Sequence, residues 1–174
     1  MVNINYLKNP FNYIGGKYKL LPQILPLFPK KIDKFVDLFG GGGEVSLNVN
    51  AKQVVYNDKC KPLVNIFRNL DSKFVYEVKE MIDTYKLNKF SKQEFLNLRS
   101  YYNTNLKDNL DRENAVVLYC LITHAFNYQI AFNKNKEFNM PSGASRSYFS
   151  KSLEDKLVKY IEAIDKKNIS FYSS

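Results

Sequence analysis

Phe35-Val36-Asp37-Leu38-Phe39-Gly40-Gly41-Gly42-Gly43 is the stretch on which the reading of the fold turns. Its first five residues form a short apolar run, the pattern of a buried strand. The four glycines that follow permit positive φ and close approach of backbone to a ligand. Helical character resumes from Glu44 to Val49, and Val54-Val55-Tyr56 marks a second strand that ends at Asn57-Asp58. Pro62 suits the first turn of a helix, which Leu63, Ile66, Phe67 and Leu70 continue at helical spacing. Strand, glycine loop, helix, strand and helix together are the opening of a doubly wound α/β sheet.

Beyond this opening the period changes. Phe74, Val78, Met81, Ile82 and Tyr85 mark one helix, Phe95, Leu98 and Tyr102 a second, and the apolar run from Ala115 to Phe126 a third. From Phe126 to Met140 aromatic and polar residues alternate about Asn133-Lys134-Asn135-Lys136, as in a hairpin or ribbon. Leu153, Leu157, Tyr160, Ile161 and Ile164 describe an amphipathic helix, and Ile169 to Tyr172 a returning strand. No internal repeat or low-complexity linker interrupts the chain. The organisation predicted is a helical insertion, 71–148, within an α/β domain whose two parts are 1–70 and 149–174.

Composition removes several classes of function. Hydrophobic residues make up 45% and charged residues 25% of the 174, an ordinary balance for a chain that buries a core. Cys60 and Cys120 stand far apart and neither belongs to a C-x-x-C pair, which argues against a thiolate zinc site or a disulfide framework. His124 is the single histidine, so a histidine metal cluster or a Ser-His-Asp triad lacks material. The chain shows no signal peptide and no stretch approaching the ~20 apolar residues of a membrane span, and a cytosolic protein is expected. The net charge of +9 favours an anionic partner, nucleic acid first among them. An AT-rich coding sequence would also enrich lysine.

The glycine loop does not fit the dinucleotide fingerprint. Gly41 and Gly43 supply its first two glycines, but Ser46 stands at the third position. Gly15-Gly16-Lys17 lacks the spacer and the Ser or Thr of a P-loop. What remains is Phe39 to Gly43 at a strand end, with Asp58 closing the next strand 15 residues beyond Gly43. A carboxylate there is placed to accept hydrogen bonds from two ribose hydroxyls. A tight strand–helix turn with a capping aspartate would use the same residues.

With these residues in view, the chain resembles the Dam-like adenine-specific DNA methyltransferases. The resemblance runs in family order through Pro10-Phe11-Asn12-Tyr13-Ile14-Gly15-Gly16-Lys17, then Phe35 to Gly43, then Tyr56-Asn57-Asp58, then Phe126 to Asn133 and Glu137 to Gly143. It implies a Rossmann-like S-adenosylmethionine-dependent methyltransferase sheet, incomplete in this chain, with a helical DNA-recognition insertion. It places S-adenosylmethionine across the glycine loop, against Phe39, Gly41 and Gly43. Tyr13 takes the position of the family's usual tryptophan, Lys17 approaches the methionine carboxylate, and Asp58 holds the ribose.

The same resemblance makes the ribbon a reader of double-stranded DNA, through Asn127, Gln129, Phe132, Asn133, Lys134 and Asn139. Asn and Gln can contact adenine in bidentate fashion and Lys holds phosphates. By composition alone these residues better suit a polar turn over two core phenylalanines, and it is the resemblance that reverses the preference. Ala131 stands where many relatives carry an arginine, which removes one source of base discrimination. No Asp-Pro-Pro or Asn-Pro-Pro run occurs in the chain, whereas the family's catalytic motif is Asp-Pro-Pro-Tyr or a close variant. The expectation is therefore the cofactor- and DNA-binding part of an adenine methyltransferase, with no catalytic residue of its own and inactive in isolation. A non-catalytic binding remnant, or one half of an enzyme completed by a second chain, is the alternative.

Overall fold

The computed structural model describes residues 6–174. Turns of 3-10 helix at Tyr18–Leu20 and Leu25–Leu27 flank the one-turn helix α1 (Leu21–Ile24). There follow β1 (Lys34–Asp37), α2 (Glu44–Asn48), β2 (Gln53–Asn57), α3 (Lys61–Asn69), α4 (Phe74–Thr84) and α5 (Lys92–Tyr101). A π-helical turn, Tyr102–Leu106, extends α5; then come α6 (Arg112–His124), α7 (Lys151–Asp165) and β3 (Ile169–Tyr172).

The three strands form one parallel sheet with β2 in the centre. Parallel strands cannot be joined by hairpins, so each connection must cross over. The first uses the glycine loop and α2. The second uses everything from α3 to α7.

The register places Phe35, Val54 and Ile169 in one row and Asp37, Tyr56 and Phe171 in another, so these six share a face. Val54 and Tyr56 are fully buried on it. Tyr56 and Phe171 pack against Phe67 of α3. The opposite face carries Val36, Val55 and Tyr172, and Val36 and Tyr172 remain 48% and 53% exposed. Among the described residues helices therefore close one face only, where a doubly wound sheet has both covered.

The core is built around α6. Its residues from Asn114 to His124 are all buried, as expected of a helix apolar on every side. Asp111 caps it by accepting from the Asn114 N–H at 2.9 Å. It packs on α3 and α4, so the helices after residue 70 and the first crossover share one continuous core. Ser150 caps α7, accepting from the Leu153 N–H at 3.3 Å, and Leu153, Leu157, Tyr160 and Ile161 form its buried stripe.

Two expectations are refined. The apolar run Phe35–Phe39 is strand only as far as Asp37. Leu38 and Phe39 leave the ladder and point outward, because the chain there turns into the glycine loop, with Gly40 N–H donating to the Asn57 carbonyl at 2.9 Å. The segment after Phe126 does run antiparallel, but as isolated bridges at Ala125–Ser142 and Phe132–Phe138 and not as a continuous ladder. Asn133 N–H to Glu137 O and Asn139 N–H to Ala131 O, at 3.0 and 3.2 Å, fix its tip.

Candidate functional site

A cavity of about 600 Å³ opens outside the carboxyl ends of the strands. The end of β1 contributes Leu38, Phe39 and Gly40–Gly42, the end of β2 Asn57, Asp58 and Lys59, and the turn before α1 Tyr13 to Lys17. This crevice is where parallel α/β sheets bind ligands, because loops and helix starts converge there. Five of the six residues expected to hold a cofactor line it: Tyr13, Lys17, Phe39, Gly41 and Asp58. Gly43 does not. It opens α2 at φ 75°, and a Cβ on it would lie 2.5 Å from the Tyr160 hydroxyl, so its place is beneath the loop.

Asp58 is only 7% exposed, and each oxygen is engaged on one side. Oδ2 accepts from the Gly41 N–H at 2.9 Å and Oδ1 from the Cys60 N–H at 2.8 Å. A carboxylate oxygen has two lone-pair sites, so each retains one for a ligand hydroxyl. The capping role and the ligand role are thus compatible. Phe39, at 91% exposure, presents a bare aromatic face to the cavity.

Tyr13 lies against Gly41 so closely that a Cβ there would meet its ring at 2.9 Å. Burial, and then the charges of Asp58 and Cys60, push its phenol up to about 12, so the ring is a neutral wall at physiological pH. Lys17 is exposed at the lip, where Nζ donates to the Gly15 carbonyl at 2.6 Å.

The loop is held from below by side chains that motif reading did not single out as functional. Tyr56 Oη donates to the Gly41 carbonyl at 2.7 Å, and Tyr160 Oη donates to the Gly42 carbonyl at 2.8 Å. The Tyr56 ring fills the place of any side chain at Gly40, where a Cβ would come within 2.1 Å of it. Glu44 joins the loop to the amino-terminal segment. Its carboxylate accepts from the Asn9 side-chain amide and, at 2.9 Å, from the Lys17 N–H. Burial pushes the Glu44 carboxyl above its usual range despite the Lys17 N–H and the charges of Lys8 and Lys17. The sequence signal for Glu44 was its position directly after the glycines. Nothing local marks Tyr160, which reads as an ordinary core residue of α7.

The ribbon residues are not gathered at one place. Phe132 and Asn133 line a cavity of about 500 Å³ between the ribbon and the start of α3. Gln129 lines another, of about 400 Å³, with Asn9, Asn12 and Tyr13. Asn127, Lys134 and Asn139 are exposed, and Asn127 adopts φ 54°. Phe132 packs edge-on against the buried Phe138. The Asn133 amide is largely engaged within the turn: Oδ1 accepts from the Asn135 and Glu137 N–H groups, and Nδ2 donates to Glu137. One amide proton remains for an outside partner.

A profile of the D12 class N6 adenine-specific DNA methyltransferases matches residues 13–174. The chain belongs to this family. It is 45% identical over 174 residues to the type II methyltransferase M.FokI of Planomicrobium okeanokoites, and 42% identical over 170 residues to the modification methylase StsI of Streptococcus sanguinis. These alignments cover 98% and 95% of the chain but 26% and 25% of those proteins. A DNA adenine methylase of Haemophilus influenzae is 26% identical over 145 residues, covering 80% of the chain and 49% of that protein. The chain thus spans about a quarter to a half of the length of these three relatives. Among the described residues no helix is long and apolar enough to cross a membrane, and no cluster of His, Cys, Asp or Glu is arranged to hold a metal.

For a D12 class chain the donor set of the crevice suits S-adenosylmethionine, the methyl donor such enzymes generally use. A buried carboxylate with two open lone pairs matches a ribose diol. An exposed aromatic matches an adenine face, and an exposed ammonium matches the amino-acid carboxylate.

Proposed function

We propose that this chain is the cofactor- and DNA-binding part of an N6-adenine-specific DNA methyltransferase, with S-adenosylmethionine seated in the crevice at the strand ends. The observation that carries this is Asp58, fixed by two backbone donors beside the glycine loop with a lone pair free on each oxygen. Asp58 accepts the ribose hydroxyls. Lys17 exchanges the Gly15 carbonyl for the methionine carboxylate, a charge-assisted and stronger contact. Tyr13 and Phe39 flank the ligand, and Gly41 lets its backbone come close. The cofactor supplies an electrophilic methyl group for the adenine amino nitrogen. Double-stranded DNA lies over the helical and ribbon segment 71–148, met by Asn127, Gln129, Phe132, Asn133, Lys134 and Asn139, with little sequence preference from the ribbon in the absence of an arginine at Ala131.

Calorimetric titration of S-adenosylmethionine into the wild type and Asp58→Asn tests the cofactor assignment. Asparagine keeps the shape but replaces one acceptor oxygen with a donor. Loss of a hydrogen bond to a charged group, about 1.5–3 kcal/mol, weakens affinity by roughly 10- to 150-fold. Equal affinity in a variant that melts like the wild type would remove Asp58 from the site.

A second reading, in which the chain works together with a complementing polypeptide, is supported by the sheet face carrying Val36 and Tyr172. Among the described residues nothing covers that face, although parallel sheets bury both. On this reading the acceptor for the adenine amino group comes from the added polypeptide, and the chain alone binds without transferring.

A further inference from the structure

The cavity between the start of α3 and the ribbon has a composition that neither the cofactor nor the base-reading residues account for. Its lining carries four lysines, Lys59, Lys61, Lys107 and Lys136, against one aspartate, Asp108. Like charges gathered in one concavity repel, and concave low-dielectric walls strengthen the field. Lys61 also occupies the first turn of α3, where the helix dipole disfavours a cation, and no acidic residue stands in that turn to offset it. Among the described residues Lys59 and Lys61 make no ion pair. The two other lysines are tethered loosely: Lys136 to Asp108 at 3.6 Å, and Lys107 to Glu137 at 3.6 Å and to the Asn135 carbonyl at 3.4 Å. Surface pairs of this kind contribute little and yield readily to a stronger anion.

Position supplies the rest. Lys59 lines both this cavity and the cofactor crevice, so the two are contiguous across one residue. The far wall is the ribbon, through Phe132, Asn133 and Lys136. An anion held here is therefore next to the cofactor crevice and against the ribbon at once.

We propose that this cavity seats backbone phosphates of duplex DNA beside the target nucleotide, with Lys59, Lys61, Lys107 and Lys136 as its cations. The assignment rests on the DNA-methyltransferase reading above and adds residues to it. Phosphodiesters fit because the site is open and multiply cationic. Such contacts position a duplex without reading its sequence. They fix where the strand enters the crevice while Gln129 and the ribbon meet the bases.

The test is a titration of the full chain with a short unmethylated duplex at several salt concentrations. It compares the wild type, Lys61→Gln/Lys136→Gln, Lys61→Arg/Lys136→Arg, and a control pair, Lys30→Gln/Lys31→Gln, which precedes β1 and so lies at the opposite end of the sheet. Each phosphate contact adds about 0.9 to the slope of log affinity against log salt. The cavity glutamine pair should lose nearly two units of slope, the arginine pair should keep them, and the control, with the same net charge as the glutamine pair, should retain the wild-type slope. All four proteins should melt alike. Wild-type binding with equal slopes in the two glutamine pairs would overturn the phosphate seat and leave the DNA reading standing. A wild type that binds no duplex at any salt would overturn both.

Discussion

Two buried tyrosines lose the same single oxygen on replacement by phenylalanine, yet the structure assigns the two changes opposite signs. Tyr160 of α7 is buried and donates to the Gly42 carbonyl at 2.8 Å. Without it that carbonyl loses its donor, and the expected cost is about 1–3 kcal/mol. Tyr119 of α6 is fully buried too, with its ring set edge-on to Phe11, Phe74 and Phe149, but its hydroxyl has no hydrogen-bond partner among the described residues. A buried hydroxyl without a partner costs about 1–3 kcal/mol, so Tyr119→Phe should gain stability of that order. The hydrophobic contribution of the ring is the same in both replacements. The two variants should therefore lie at least about 2 kcal/mol apart, with wild type between them. For a chain of this size each kcal/mol moves Tm by about 2–4 °C, a separation of roughly 4–8 °C or more. Urea unfolding with an unchanged m value is the decisive assay, because it reports stability without a change in the exposed surface. Coincident midpoints, or Tyr119→Phe less stable than Tyr160→Phe, would refute the hydrogen-bond argument at the glycine loop.

Burial pushes the His124 imidazole below its usual range, only partly opposed by the Cys120 carbonyl at 2.9 Å. A depressed histidine means that the unfolded chain binds more protons as pH falls below 6.5, so stability is full above that value and declines as pH drops through the folded pKa, by up to about 1.4 kcal/mol per pH unit. The raised Glu44 carboxyl works the other way, favouring the fold as pH falls through its own range. Melting temperature followed from pH 7 downward should show a slope that His124→Gln flattens; an unchanged slope would exclude His124 as its source. The purified chain alone should transfer no tritiated methyl group to unmethylated DNA, since it has no Asp-Pro-Pro or Asn-Pro-Pro run to accept from the adenine amino group. Transfer above background by the chain alone would locate that acceptor among residues already described.

The strands and long helices were legible in the sequence because their signals are local. The apolar run at Phe35, the Val54-Val55-Tyr56 cluster and the spacing of Leu153, Leu157 and Ile161 each give their element by periodicity. The lining of the crevice was legible only in part from the residues themselves: Phe39, Gly41 and Asp58 follow strand ends, where a glycine loop and a carboxylate stand out, whereas Tyr13 and Lys17 were placed by the family resemblance. Two kinds of information were not local. An apolar residue that leaves a strand to line a cavity looks like one that stays, which is why Leu38 and Phe39 read as strand. A side chain that supports a loop from a distant helix carries no mark of it, as Tyr160 shows. The ribbon lies between these cases. Its turn was visible in Asn133 to Lys136, but the engagement of the Asn133 amide with Asn135 and Glu137 depends on the turn's geometry.

The bracing of the glycine loop has a consequence for the order of events during synthesis. The Gly42 carbonyl receives its donor from a residue 118 positions later, and the carbonyls of Leu47 and Val49, at the end of α2, are bound by Lys167 at 3.2 and 2.6 Å. When the first seventy residues have left the ribosome, the loop sequence is present but its floor is not. Closing a contact over so long a separation carries an entropy cost that only the finished core can outweigh. The crevice at the strand ends should therefore take its final shape late, after α7 has docked and β3 has paired with β2, although the glycine loop that lines it is among the first segments made.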